Sequence, residues 1–167
     1  MIVLTGQEPK IIITSGGAQE KVAAFVKYLK EENLLPQSSG AIADVAGADR
    51  VLCVGLGLKK KEDLAMMDGL ADALHAALGC SRPFAEEKRW MPMGRFVGIS
   101  GQKFKGGFYL GIGVSGQIQH LAGIREGKVI TAINIDPQAP IFENVDYGIV
   151  GDMYEIVPLL SAALQKA

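Results

Sequence analysis

The stretch GVSGQIQHLAGI, residues 113 to 124, follows the apolar run FYLGI and sets Gln119 and His120 about one turn into a helix expected from about Ser115. Such residues could serve as a nucleophile site or as a cradle for an anion. A hydrolase elbow reads G-x-S-x-G, but position 117 is Gln117, and His120 lies five residues after Ser115 instead of far beyond an acid. That order disfavours a serine hydrolase. Anion binding asks less of the turn. Gly116 lets the chain approach closely, Ser115 and free N–H groups donate hydrogen bonds, and the helix dipole favours negative charge. A phosphate or pyrophosphate suits it. A second glycine turn, Gly55-Leu56-Gly57, has Lys60 where a dinucleotide fingerprint needs its third glycine, so it reads as a plain tight turn.

These turns sit at the ends of apolar strands. RVLCVG at 50 to 55, FVGIS at 96 to 100, FYLGIGV at 108 to 114 and KVITAIN at 128 to 134 read as strands. LAMMDGLADALHAAL at 64 to 78, a short helix from about Ser115 and a final helix from about Gly151 alternate with them. Ahead of these lie strand-like IVLT and KIIIT and the helix-like SGGAQEKVAAFVKYLKEEN. LLPQSSG at 34 to 40 has linker composition and suggests a soft boundary near 40. Strands apolar on both faces and alternating with helices imply a parallel sheet covered on both sides, a three-layer α/β domain spanning residues 1 to 167. Ligands of such sheets bind beyond the strands' carboxyl ends.

Composition narrows the function classes. Of 167 residues, 49% are apolar and 21% charged, and a net charge of -1 offers no basic excess for nucleic acid or acidic lipid. Cys53 and Cys80 lack the number and spacing of a disulfide framework or zinc site, which suits a reducing cytoplasm. No run reaches the roughly 18 apolar residues of a membrane helix, so no membrane insertion is expected.

Five stretches together resemble the C-terminal FAD-binding domain of the electron transfer flavoprotein alpha subunit. They are CSRPFAEEKRWMP at 80 to 92, RFVGIS at 95 to 100, LGIGVSGQIQHLAGI at 110 to 124, INIDPQAPIFENVDYGIVGD at 133 to 152 and VPLL at 157 to 160. The resemblance runs from about residue 43 to the end, with residues 1 to 42 as an atypical extension. The CSRP spelling and the GIS ending are most similar to the branch associated with carnitine, nitrogen fixation and flavin bifurcation. The resemblance implies the deoxyhypusine-synthase-like NAD/FAD-binding fold and FAD as cofactor. It implies that Ser115 and Gly116 meet the pyrophosphate, and that Gln119 and His120 reach toward the flavin, His120 to a pyrimidine oxygen. Arg82 would lie over the isoalloxazine, where a fixed cation favours negative charge on the reduced ring. Ser100 would replace the family threonine that bonds flavin N5, and Asn134 and Asp152 would hold the adenosine end. On the residues alone, His120 also reads as a helix-surface histidine, Arg82 as a solvated loop arginine and Asp152 as an N-cap.

Ile99 and Gln102 depart from the glutamine and lysine usual around the N5-binding turn, and Gly106-Gly107 replaces a Pro-Glu pair. Family members carry a whole further domain ahead of this one. The start MIVLTG and the first helix suggest a compact stand-alone relative rather than a fragment. The implied function is an electron carrier rather than a substrate-transforming enzyme, serving a redox protein such as an acyl-CoA dehydrogenase or quinone reductase. The alternative is a nucleotide-binding or assembly protein of the same fold with weak or no flavin. Trp90, Phe104 and Phe108 would be left exposed, which predicts a homodimer through the 83 to 109 region, or else pairing with a beta-like electron transfer flavoprotein subunit.

Overall fold

The computed structural model describes residues 10 to 36 and 44 to 167. The IVLT strand and most of the linker, with its boundary near 40, lie outside the described residues. Six strands form one all-parallel sheet: β1 (Ile11–Ile13), β2 (Arg50–Val54), β3 (Ala77–Cys80), β4 (Phe108–Ile112), β5 (Ile130–Asn134) and β6 (Tyr147–Val150), in the spatial order β1-β6-β5-β4-β2-β3. From β2 the chain moves outward to β3, then crosses back to lay β4 on the other side of β2. The gap between β2 and β4 is therefore the topological switch point, where the connections diverge and leave a crevice at the strands' carboxyl ends.

Helices α1 (Ala18–Glu31), α2 (Leu64–Leu74) and α4 (Met153–Lys166) cover one face, burying Phe25, Leu29, Met67, Leu70, Val157 and Leu160 against Leu52, Leu110 and Ile149. The other face is covered by the short helix α3 (Ile118–Ile124), the turns Val45–Gly47 and Pro140–Asn144 and the loop bearing Val97 and Phe104. Consecutive residues of β2 therefore enter different cores, Val51 and Cys53 on one side and Leu52 and Val54 on the other. That is why RVLCV reads as a continuous apolar run rather than an alternating one. The three-layer α/β expectation holds.

Several elements differ from the sequence reading. The helix expected to reach residue 78 stops at Leu74, where His75 adopts a left-handed cap and its N–H returns to the Asp72 carbonyl. The chain then enters β3, whose apolar residues ALGC also satisfy a helical pattern. FVGIS is not a strand. Its Gly98–Gly101 turn closes back so that the Gln102 N–H reaches the Phe96 carbonyl, leaving single bridges at Phe96 and Val97. Between KVITAIN and the final helix, where no strand is expected, the chain forms β6, and α3 begins at Ile118, three residues beyond Ser115.

The surface premise of the homodimer is also overturned. Phe104 and Phe108 are each 1% exposed, and Trp90 is partly buried, edge-on to Phe84 at 5.6 Å. Phe108 opens the central strand β4 with the Arg50 guanidinium over its ring, and Phe104 packs against Tyr109. Among the described residues, large apolar exposure falls instead on Ile11, Leu56, Met93, Ile99, Ile118 and Ile135. No helix among the described residues is long and apolar enough to cross a membrane.

Candidate functional site

A cavity of about 570 Å³ opens at the switch point. It is walled by the segments following β2 (Leu56, Gly57), β3 (Ser81 to Pro83), β4 (Gly113 to Gln117) and β5 (Asn134, Asp136). Seven of the eight expected residues line it: Arg82, Ser100, Ser115, Gly116, Gln119, His120 and Asn134. The eighth, Asp152, lines a smaller adjoining cleft of about 80 Å³ that shares Gly57, Gly113 and Asn134 with the cavity. Residues as far apart in sequence as Leu56 and Pro140 are thus brought to one crevice by the parallel order of the strands.

The wall after β4 is built from backbone. Gly116 has φ +89, and a Cβ there would sit 2.5 Å from the Ile141 backbone, so the close approach requires glycine. The Ser115 carbonyl accepts the Ile141 N–H at 2.9 Å, tying this turn to the Pro140–Asn144 turn, while the Ser115 side chain stays exposed. Across the crevice, a Cβ on Gly57 would meet Gly113 Cα at 2.9 Å, so Gly55-Leu56-Gly57 is a tight turn packed on its neighbouring strand end. Asn134 braces the same wall: its Nδ2 donates to the Val114 carbonyl and its Oδ1 accepts the Asp136 N–H. Asp152 is the N-cap of α4, accepting the Tyr154 N–H at 2.9 Å.

His120 is not a helix-surface histidine. It is 6% exposed, with Nε2 at 2.7 Å from the Tyr109 hydroxyl and the ring also in hydrogen-bond contact with the Val97 main chain. Burial pushes its pKa down to about 4, an effect only partly offset by the nearby Val97 main chain, so the ring is neutral at physiological pH. The opposite wall is looser. Arg82 is exposed and its Nε donates to Glu86 at 2.8 Å, and Ser100 and Ile99 are exposed on the turn whose Ile99 N–H reaches the Gln119 carbonyl. Glu86, Glu87 and Asp136 also line the cavity, so the Arg82 cation faces carboxylates as well as open space.

The Ser115 side chain is exposed while His120 is buried and engaged with Tyr109, an arrangement that does not support a hydrolase elbow. The arrangement suits an elongated ligand with a polar, backbone-recognised middle. Residues 44–125 match the electron transfer flavoprotein FAD-binding domain. YdiR of Escherichia coli strain K12, a candidate electron transfer flavoprotein subunit, is 50% identical over 123 residues, 74% of this chain and 39% of that protein. Protein FixB of Escherichia coli strain HS is 48% identical over the same length. The chain is a relative of the electron transfer flavoprotein alpha subunit. It spans about two fifths of the length of these relatives.

Within this electron transfer flavoprotein-type domain, sequence reading missed Tyr109, which touches His120 from the sheet, and the Tyr154 hydroxyl, which donates to Asp63 and accepts the Lys59 N–H beside the smaller cleft. Tyr109 sits in an apolar strand, and nothing in FYLGI marks its hydroxyl as facing a histidine eleven residues later.

Proposed function

We propose that the switch-point cavity binds FAD and that the chain serves as an electron carrier between protein partners. The observation that carries this reading is the convergence of Arg82, Ser100, Ser115, Gly116, Gln119, His120 and Asn134 on one cavity of about 570 Å³, continuous through shared residues with the Asp152 cleft. The volume suits a cofactor-sized ligand. The residues present also fit the group: the glycine turns that follow β2 and β4 leave a backbone-lined cradle for a pyrophosphate, and Ser100, Gln119, His120 and Asn134 bring polar residues to the same cavity.

When bound, FAD supplies the redox chemistry of the carrier. The chain's own residues would hold and tune it. Ser115 and Gly116 would meet the pyrophosphate, Asn134 and Asp152 the adenosine end, and Ser100, Gln119 and His120 the ring. Arg82 would favour negative charge on the reduced ring through its fixed cation. The exposed Leu56 and Ile99 at the cavity, with Ile118 and Ile135 beside it, support a protein partner over its mouth. A beta-like subunit fits that rim better than a homodimer through 83 to 109, whose aromatic residues are largely covered. Such a carrier would work in the cytoplasm with a dehydrogenase or quinone reductase.

Titration of apo-protein with FAD and with FMN tests the cofactor. FAD should bind more tightly, because pyrophosphate and adenosine contacts contribute only for the dinucleotide. Equal affinities, or no binding of either at high micromolar concentration, would count against the reading and favour an assembly protein of the same fold.

A further inference from the structure

The smaller cleft has two sides. One is the loop after β2, with Gly57 and Lys59, and the other is the start of α4, with Gly151 to Tyr154; Ile133 to Ile135 lie along the same cleft. The polar joint between the sides is the Tyr154 hydroxyl. It accepts the Lys59 N–H at 2.8 Å and donates to Asp63 Oδ2 at 2.6 Å. Among the described residues, no other hydrogen bond joins residues 57–63 to residues 151–154. Burial and the Asp63 carboxylate raise the pKa of this hydroxyl, so it keeps the proton that it donates. The Lys59 ammonium lies over the Tyr154 ring, 5.2 Å from its centre, so one side chain orients Lys59 at both its main chain and its charge. At its own main chain Tyr154 donates to Asp152 Oδ1 at 2.9 Å, leaving the second carboxylate oxygen with no hydrogen bond among the described residues. Such an oxygen accepts the hydroxyls of a sugar.

We propose that Tyr154 is a specificity-determining positioning residue: it clasps the loop after β2 to the first turn of α4, holds the cleft between them at one width, and so makes the site prefer a dinucleotide to a mononucleotide. The proposal rests on the reading of the Asp152 cleft as the adenosine end and adds the side chain that shapes it. Tyr154 acts through Lys59, Asp63 and Asp152. A loop left free has to be ordered when the ligand arrives, and that ordering subtracts from affinity; a loop already tied needs little of it. The effect is confined to ligands that reach this cleft, because the flavin end of the site is walled by other segments, after β3 and β4.

The test titrates the full apo-chain with FAD, FMN and ADP. Tyr154→Phe keeps the ring beneath Lys59 and removes the hydroxyl. It should weaken FAD and ADP each about tenfold, the loss of roughly one hydrogen bond, and leave FMN unchanged, so the preference for FAD over FMN falls by the same factor. A merely structural role would weaken all three ligands alike. That result, or no change in any of them, overturns the proposal. Asp63→Ala removes the acceptor of the hydroxyl and should reproduce the loss, whereas Asp63→Asn retains an oxygen acceptor and should restore most of it. Equal binding by these two variants overturns the clasp, and the pair decides the matter if Tyr154→Phe does not fold. Wild-type protein that binds ADP but neither flavin, with ADP still weakened in Tyr154→Phe, rejects the flavin reading and keeps the clasp. FAD binding that ignores Tyr154→Phe keeps the flavin reading and rejects the clasp, and binding of none of the three ligands rejects both.

Discussion

The two walls of the cavity are built on different principles. The wall after β4 and β5 is set by backbone: the left-handed Gly116 against Ile141, the Ser115 to Ile141 hydrogen bond, Asn134 clamped between Val114 and Asp136, and a buried His120. The wall after β3 is set by side chains at the surface, where Arg82 and Glu86 are 53% and 51% exposed and joined by one ion pair. A rigid wall suits binding, because little ordering remains to be done when the ligand arrives. An adjustable cation suits tuning, because its distance from a ring can change at small cost to the fold. Affinity and stability should therefore depend on the first wall, and redox tuning on the second.

The comparison can be broken first at Gly116. Gly116→Ala adds left-handed strain and a contact with the Ile141 backbone, and should cost roughly 2–6 kcal/mol in chemical denaturation. A loss below about 0.5 kcal/mol would show that this wall yields. Next is His120. Its folded pKa of about 4 lies below the unfolded value of 6.5, so the unfolded chain binds the extra proton as pH falls. The stability associated with neutral His120 is present above pH 6.5 and is lost between there and about pH 4, amounting to about 3 kcal/mol. Denaturation curves across that window should show this slope in the wild type, and His120→Gln should flatten it. The smallest stability effect belongs to the second wall. Arg82→Ala removes an exposed i,i+4 pair and should change stability by no more than about 0.5 kcal/mol. It should nevertheless lower the potential of bound FAD. Spectroelectrochemistry showing no shift with FAD still bound would leave Arg82 a solvated loop arginine.

Much of this architecture is legible in the chain. Apolar runs without alternation indicate a doubly covered parallel sheet, and β2, β4 and β5 lie where those runs fall. Asp152 caps α4 as its residue type suggests. Short elements escape such reading. ALGC and YGIV become strands because β2 and β5 lie beside them, while FVGIS, with a better strand composition, folds back through Gly98 and Gly101. A strand is defined by its partner's hydrogen bonds, and four or five residues carry too little periodicity to name that partner.

The same division holds for the site. The sequence by itself determined much of the chemistry available at the site: glycines that permit close backbone approach, a serine and an asparagine at the ends of apolar runs, a histidine one turn into the helix that follows, and an arginine in the loop after residue 80. Local spacing suffices there, because a strand must end where its apolar residues end. Only the tertiary structure decided that Phe104 and Phe108 are covered, that Arg82 answers to Glu86, and that His120 turns inward to Tyr109. Burial and hydrogen-bond partnership depend on which surfaces the fold presses together. For His120, that packing is what removes water from the ring and keeps it neutral.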